Sequence, residues 1–191
     1  MQTKTKSQYY TVEDYLLQEE TAEEKSEYCN GEIFTMAGGT PNYNRICLNV
    51  SSELNFKLRK TAYQVYMADI KLWIPHSNNF KYPDVIIIEG NPQYYKNRKD
   101  IILNPIVIIE VLSDSTKNYD RGNKFQQYRT LESLQHYILI SEDAIHIEYF
   151  KKVAKYEWLL ADINQLDSHL KLTQLDIILN VNDIYERVDF S

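Results

Sequence analysis

Apolar residues recur along the chain with two periods, one helical and one extended. Val12, Tyr15 and Leu16 follow Thr11, with Asp14 three residues beyond it. That spacing predicts a short helix over residues 11–20 with a capping box at its start. Ile46, Val50, Leu54 and Leu58 mark one face of a longer helix that starts at Pro41 or Asn42. Short runs rich in β-branched residues predict strands at 63–67, 70–74, 85–88, 106–109 and 137–140. Asn30-Gly31 predicts a tight hairpin within SEYCNGEIFTM. A further hairpin is expected from 145–150 and 156–160, and a helix from Asp120 to about Leu131 with Phe125 and Leu131 turned inward. The apolar tail, 170–179 and 184–188, reads as peripheral support for the sheet.

The stretch 82–112 organises the rest. Val85 to Ile88 and Ile106 to Ile109 are wholly apolar runs, as buried strands require. Asp84 opens the first run and Glu110 closes the second. If the strands pair antiparallel, the start of one lies beside the end of the other, and the two acids meet at one edge of the core. Two carboxylates so placed can hold a divalent cation. Either acid alone reads equally well as a solvated strand end or a helix cap.

Other candidates are more ambiguous. Glu32 follows the hairpin turn and reads first as a solvated edge residue. Asp69 breaks two apolar stretches and is either another acid at the site edge or a turn former. Asp120, Lys124 and Tyr128 are spaced one helical turn apart, which also describes a surface ion pair of little worth. The segment 113–116 reads as a polar turn. Residues 90–104 carry Tyr94, Tyr95, Lys96, Arg98 and Lys99 and read as a long surface loop able to contact a polyanion.

Composition narrows the class. The chain has 191 residues, enough for a single domain over 1–191 with a sizeable core. A formal net charge of −6 argues against a protein that coats nucleic acid non-specifically, but leaves room for a local basic groove. No apolar run is long enough for a bilayer, and residues 1–8 lack the apolar segment of a signal peptide. Cys29 and Cys47 form no CxxC pair, so no thiolate zinc site is expected, and a cytoplasmic location with no membrane partner follows. The four histidines fit no metal-ligand spacing, and Ser113 and Ser115 lack a nucleophile-elbow context.

Several motifs together resemble one family. YTVEDYL at 10–16, NGEIFTMAGGTPN at 30–42, YPDVIII at 82–88, NPIVIIEVLSDSTKNYDRGNKFQQYR at 104–129 and DIYERV at 183–188 are similar to the Uma2 (DUF820) family of proposed restriction endonucleases, abundant in cyanobacteria. That family is similar in turn to the PD-(D/E)xK nucleases. The resemblance implies an α/β (α+β-like), restriction-endonuclease-like fold, a central mixed β-sheet flanked by helices. It also implies Mg²⁺-dependent phosphodiester hydrolysis, with Mn²⁺ as a substitute ion and DNA as the nucleic-acid partner. Carried over by position, Asp84 and Glu110 are the paired acids and metal ligands, Glu32 an auxiliary acid, and Asp69 a further acid and metal ligand.

Two positions depart from the pattern. Leu112 stands where the superfamily has lysine, so that role passes to Lys124, with Lys117 as the alternative. Tyr43 stands where relatives commonly carry histidine. A homodimer, a non-catalytic nucleic-acid or protein-binding module, and a hydrolase of small phosphorylated substrates all stay open at this point.

Overall fold

The computed structural model describes residues 9–36, 38–113 and 120–190. Two mixed six-stranded sheets face each other. The first runs, in spatial order, β2 (Glu32–Thr35), β1 (Ser26–Cys29), β5 (Asn79–Lys81), β4 (Lys71–Ile74), β8 (Arg98–Ile102) and β7 (Tyr94–Tyr95). The second runs β12 (Glu157–Ile163), β11 (Ile147–Ala154), β10 (His136–Ser141), β9 (Pro105–Leu112), β6 (Val85–Glu89) and β3 (Tyr63–Met67). β9 and β10 pair in parallel, as do β4 and β8.

Side-chain alternation explains the layering. Along β6 and β9, Val85, Ile87, Val107, Ile109 and Val111 face one way. They pack against helix α2 (Pro41–Leu58), the hairpin β13 (His169–Leu172) with β14 (Ile177–Asn180), and helix α4 (Val181–Ile184). Ile86, Ile88, Ile108 and Leu112 face the other way, onto Leu72 and Ile74 of β4 and Ile102 of β8. Both faces of the second sheet are therefore covered, which is why its central strands are unbroken apolar runs. Burying each such isoleucine contributes about 1.5–3 kcal/mol relative to leaving it exposed. The outer face of the first sheet is closed by helix α1 (Val12–Glu19), whose Tyr15 and Leu16 pack with Tyr28, Phe80 and Ile101.

α1 begins with the expected capping box, Thr11 and Asp14 exchanging hydrogen bonds. Three expectations need correction. The stretch 90–104 is no open loop. Tyr95 pairs with Arg98 around Lys96 and Asn97, both at positive φ, and the resulting hairpin β7–β8 adds the buried Ile101 and Ile102 to the first sheet. The helix expected over 120–131 is a π-helical turn, Asp120–Lys124, followed by the short α3, Phe125–Tyr128. The tail is more than peripheral, since Leu170, Leu172 and Leu179 are almost wholly buried in the main core.

Candidate active site

Strand register brings the two acids together. β6 and β9 pair antiparallel with Val85 opposite Ile109, so the next rung sets Asp84 against Glu110. Glu110 shares the face of Ile108 and Leu112, turned toward the first sheet, while Asp84, just before β6 at the sheet's end, is met by Tyr43 of α2 from the other side. Asp84 is 7% exposed and Glu110 3%. Asp84 Oδ2 accepts the Val111 N–H at 2.6 Å, and Oδ1 accepts the Tyr43 hydroxyl. Glu110 Oε1 accepts the Tyr128 hydroxyl at 2.7 Å and lies 3.1 Å from Lys124 Nζ.

The surrounding charges come from three elements. Lys124 ends the π-helical turn, and its ammonium also lies 3.0 Å from Asp120 Oδ1 and 3.8 Å from Glu27 Oε1. The Asp120 contact is an ion pair without hydrogen-bond alignment. Glu27 projects from β1 on the strand face opposite Tyr28, hence toward the second sheet. Its other oxygen lies 2.6 Å from Nζ of Lys81, a residue of β5 with no exposed surface, whose Nζ is also 2.8 Å from Cys29 Sγ. Among the described residues, four acids, Asp84, Glu110, Asp120 and Glu27, gather around Lys124 and Lys81.

That imbalance shows in the proton affinities. Burial pushes Glu110 up to about 8, against the pull of Lys124 and with the push of Asp84. Burial likewise raises Asp84, although hydrogen bonds from Tyr43 and Val111 oppose it. Burial works to depress Lys124, yet Glu110, Glu27 and Asp120 outweigh it and hold its ammonium well above the usual lysine range. One cation divided among three carboxylates stays fully charged, while no single carboxylate receives its whole compensation.

A glycine loop delivers the hydroxyl on Asp84. Thr40 caps α2 by accepting the Tyr43 N–H and donates its own hydroxyl to the buried Glu142. A Cβ on Gly39 would sit 2.3 Å from Tyr43 Cδ1, so only glycine lets the ring lie along this loop. Burial and the neighbouring Asp84 push the Tyr43 hydroxyl far above its usual range, so it acts as a fixed donor.

The other predicted positions divide. Lys124 reaches Glu110, whereas Leu112, two residues along the same strand face, is packed in the apolar core. Lys117 and most of the expected polar turn 113–116 lie outside the described residues. Glu32 is not in the cluster. It pairs across from Cys29 on the edge strand β2 and is exposed, whereas Glu27 of the same hairpin lies 3.8 Å from Lys124. Asp69 also falls outside. It follows Ala68 at positive φ in a tight turn, and its carboxylate is 78% exposed and pairs with Lys25. Lys96 and Arg98, expected to be available to a polyanion, are instead paired with Glu13, Glu20 and Asp100.

The donor chemistry suits a small hard cation. No group of three or more histidine, cysteine, aspartate or glutamate residues forms a metal cage among the described residues. Mg²⁺ does not need one, because it is commonly held by one or two carboxylates with waters and substrate phosphate oxygens. Asp84 and Glu110 fit that requirement, and a divalent ion between them would displace the proton that burial keeps on Glu110.

Comparisons with known proteins place this arrangement in context. The family model of Uma2, described as "Putative restriction endonuclease", matches residues 12–182. Two relatives from Synechocystis sp. are "Uncharacterized protein sll1609" and "Uncharacterized protein slr1290". The first is 36% identical over 167 residues, covering 87% of this chain and 94% of the relative. The second is 33% identical over 178 residues, covering 93% and 92%. Among solved structures, a putative nuclease of DUF820 from Anabaena variabilis superposes with a TM-score of 0.76 at 15% identity, over 92% of this chain and 97% of that one. No helix among the described residues is long and apolar enough to cross a membrane.

Proposed function

Because the chain belongs to the Uma2 family, we propose that it is a metal-dependent endonuclease that hydrolyses phosphodiester bonds in DNA. The observation that carries this reading is the buried pair Asp84 and Glu110, set on adjacent rungs beside Lys124, with burial raising the proton affinity of both. Asp84 and Glu110 would hold Mg²⁺, or Mn²⁺ in its place. When bound, such an ion supplies a Lewis acid that activates water and polarises a phosphoryl oxygen.

The chain's own groups have distinct tasks. Val111 N–H and the Tyr43 hydroxyl fix Asp84, and the Tyr128 hydroxyl fixes Glu110, so neither carboxylate must reorganise on binding. Lys124 is kept as an ammonium by Glu110, Glu27 and Asp120. It therefore serves as a fixed positive charge for the anion that builds up at phosphorus, not as a general base. Lys81 balances Glu27 from the far side and keeps that acid from drawing Lys124 away from Glu110.

The test is cleavage of supercoiled and single-stranded DNA with Mg²⁺, with Mn²⁺ and with chelator. The wild type should cut only with metal. Lys124→Met, which keeps the apolar stem, should turn over about a hundredfold more slowly, the scale of one lost transition-state donor. Cleavage that persists in chelator would refute the metal dependence. Absence of cleavage on every substrate would support a binding module on the same fold.

A further inference from the structure

The outward face of α2 carries charge of the opposite sign to the chain as a whole. Ile46, Val50, Leu54 and Leu58 of this helix are buried in the main core. Arg45, Leu48, Ser52, Phe56 and Arg59 are spaced three or four residues apart on the other side, and all five are exposed. Lys60 follows directly and is also exposed. Residues 41–60 hold four cations and one acid, a net +3, in a chain of net −6. That acid, Glu53, lies at the edge of the stripe and is paired with Lys57 at 3.3 Å. Glu186, whose carbonyl accepts from Asn49, has its carboxylate 3.9 Å from Arg187.

Two further observations say what covers this face. Phe56 is 61% exposed, and the Arg59 guanidinium lies 4.4 Å from its ring centroid. Proteins that bind single-stranded DNA receive a base in this way, on an aromatic ring left in solvent beside a cation that meets the phosphate. The stripe also starts at the acid pair. Tyr43, in the first turn of α2, donates to Asp84, and Arg45 follows two residues on. With a rise of about 1.5 Å per residue, Arg45 to Arg59 spans about 21 Å, the length of a few nucleotides of extended strand. A second copy of the chain fits this face poorly. Antiparallel pairing of two α2 helices sets Arg45 against Arg59, and parallel pairing sets each arginine against itself.

We propose that the outward face of α2 binds the single-stranded DNA segment next to the phosphate that is cut. This rests on the nuclease reading above. Arg45, Arg59 and Lys60 hold backbone phosphates, and one base stacks on Phe56 beside Arg59. The strand then leaves the stripe over the N-terminal end of α2, which brings the next phosphate to Asp84. Its contacts are to phosphates and to the face of a base, which every nucleotide offers, so binding tolerates any sequence. Duplex DNA keeps its bases stacked on one another and gains only the phosphate contacts.

The experiment measures binding of a short labelled oligo(dT) by anisotropy in chelator, over a range of salt, so that no strand is cut. Phe56→Ala should weaken binding about tenfold and leave the salt slope as it is, the scale of one stacked base. Arg45→Ala combined with Arg59→Ala should weaken binding and lower the salt slope by about 1.4, the share of two phosphates of a single strand. A duplex of the same length should show the arginine effect without the phenylalanine one. Lys155→Ala combined with Tyr156→Ala is the control and should bind like the wild type, because that exposed lysine and ring sit on a hairpin tip next to Glu157. No binding by the wild type, affinity unchanged in both α2 variants, or an equal loss in the control would overturn the proposal. So would binding to vesicles of phosphatidylglycerol with no affinity for oligo(dT). If Mg²⁺-dependent cleavage is seen alongside any of these, the nuclease reading survives them. Binding lost in the α2 variants, with no cleavage under any condition, would keep the strand-binding face and remove the nuclease.

Discussion

The first sheet carries a charged cluster on each face, and the two differ in how far their charges are balanced. On the outer face, Lys71 lies 3.6 Å from Glu19 and 3.3 Å from Asp100, while Arg98 bridges Asp100 and Glu20. Glu19 also accepts hydroxyls from Tyr82 and Ser26. Two of these three acids are about half exposed. Burial works against Asp100, yet the hydrogen bond and charge of Arg98, with Lys71, hold it below the usual carboxylate range. On the inner face, among the described residues, the acids outnumber the lysines two to one, and burial drives Asp84 and Glu110 upward. The outer cluster is a satisfied network that fastens α1 to the sheet. The inner one holds charge that the fold does not neutralise, and such sites are where chemistry tends to reside.

The comparison can be broken from either side. The largest effect should come from the inner face, where Asp84→Ala should lower metal-dependent DNA cleavage by about a thousandfold or more, the several kcal/mol that a Lewis acid supplies. Rates within tenfold of wild type would remove Asp84 from the site.

A pH series probes the same imbalance without substrate. Glu110 moves from 4.5 when unfolded to about 8 when folded, so the folded state holds the extra proton between those values. Stability in chelator should be full below about pH 4.5 with respect to this group and fall as pH rises toward 8. Glu110→Gln should remove that decline, a difference of about 4 kcal/mol at pH 8 in chemical denaturation. Parallel pH curves for the two proteins would show that Glu110 carries no such proton.

Lys71→Met tests the outer face. It strands the nearly buried Glu19 and should cost about 2 kcal/mol of stability, with metal affinity as in the wild type. A loss of metal binding here would mean that the two clusters are not independent. Tyr43→Phe should have the smallest effect, a drop of about tenfold in Mn²⁺ affinity, because Asp84 Oδ1 loses its hydroxyl donor. An unchanged affinity would make that contact incidental.

How much of this was legible in the sequence follows from which contacts are local. The meeting of Asp84 and Glu110 could be read because strands alternate strictly and antiparallel pairing fixes which ends coincide. The hairpin at Asn30-Gly31 was legible for the same local reason. The choice between Glu27 and Glu32 was not. Both share one face of the hairpin, since Glu32 pairs with Cys29 and Cys29 alternates with Glu27. What separates them is that Glu27 lies inward on β1, over the second sheet, while Glu32 lies on the edge strand in solvent. The buried aromatic Tyr28 beside Glu27 was the available signal that this strand has two covered faces.

Lys81 was missed because a lysine beside a turn and a three-residue strand reads as solvated, and only the packing of two sheets buries it. The strands β7 and β8 were hidden by the polar residues at 96–100, whose partners Glu13, Glu20 and Lys71 are distant in sequence. Lys124 was named through the family resemblance, since its spacing from Asp120 and Tyr128 alone fitted a surface ion pair equally well, and the π-helical turn that buries it was not legible.

The central claim is that the inner carboxylates take up one divalent ion in exchange for a proton. Calorimetric titration of Mn²⁺ at pH 6 and pH 8, in two buffers of different ionisation heat, measures both. The account predicts one ion per chain, tighter binding at the higher pH, about one proton released near pH 7, and no binding by Asp84→Ala. Equal Mn²⁺ affinity in the wild type and Asp84→Ala, or binding without proton release at either pH, would contradict it.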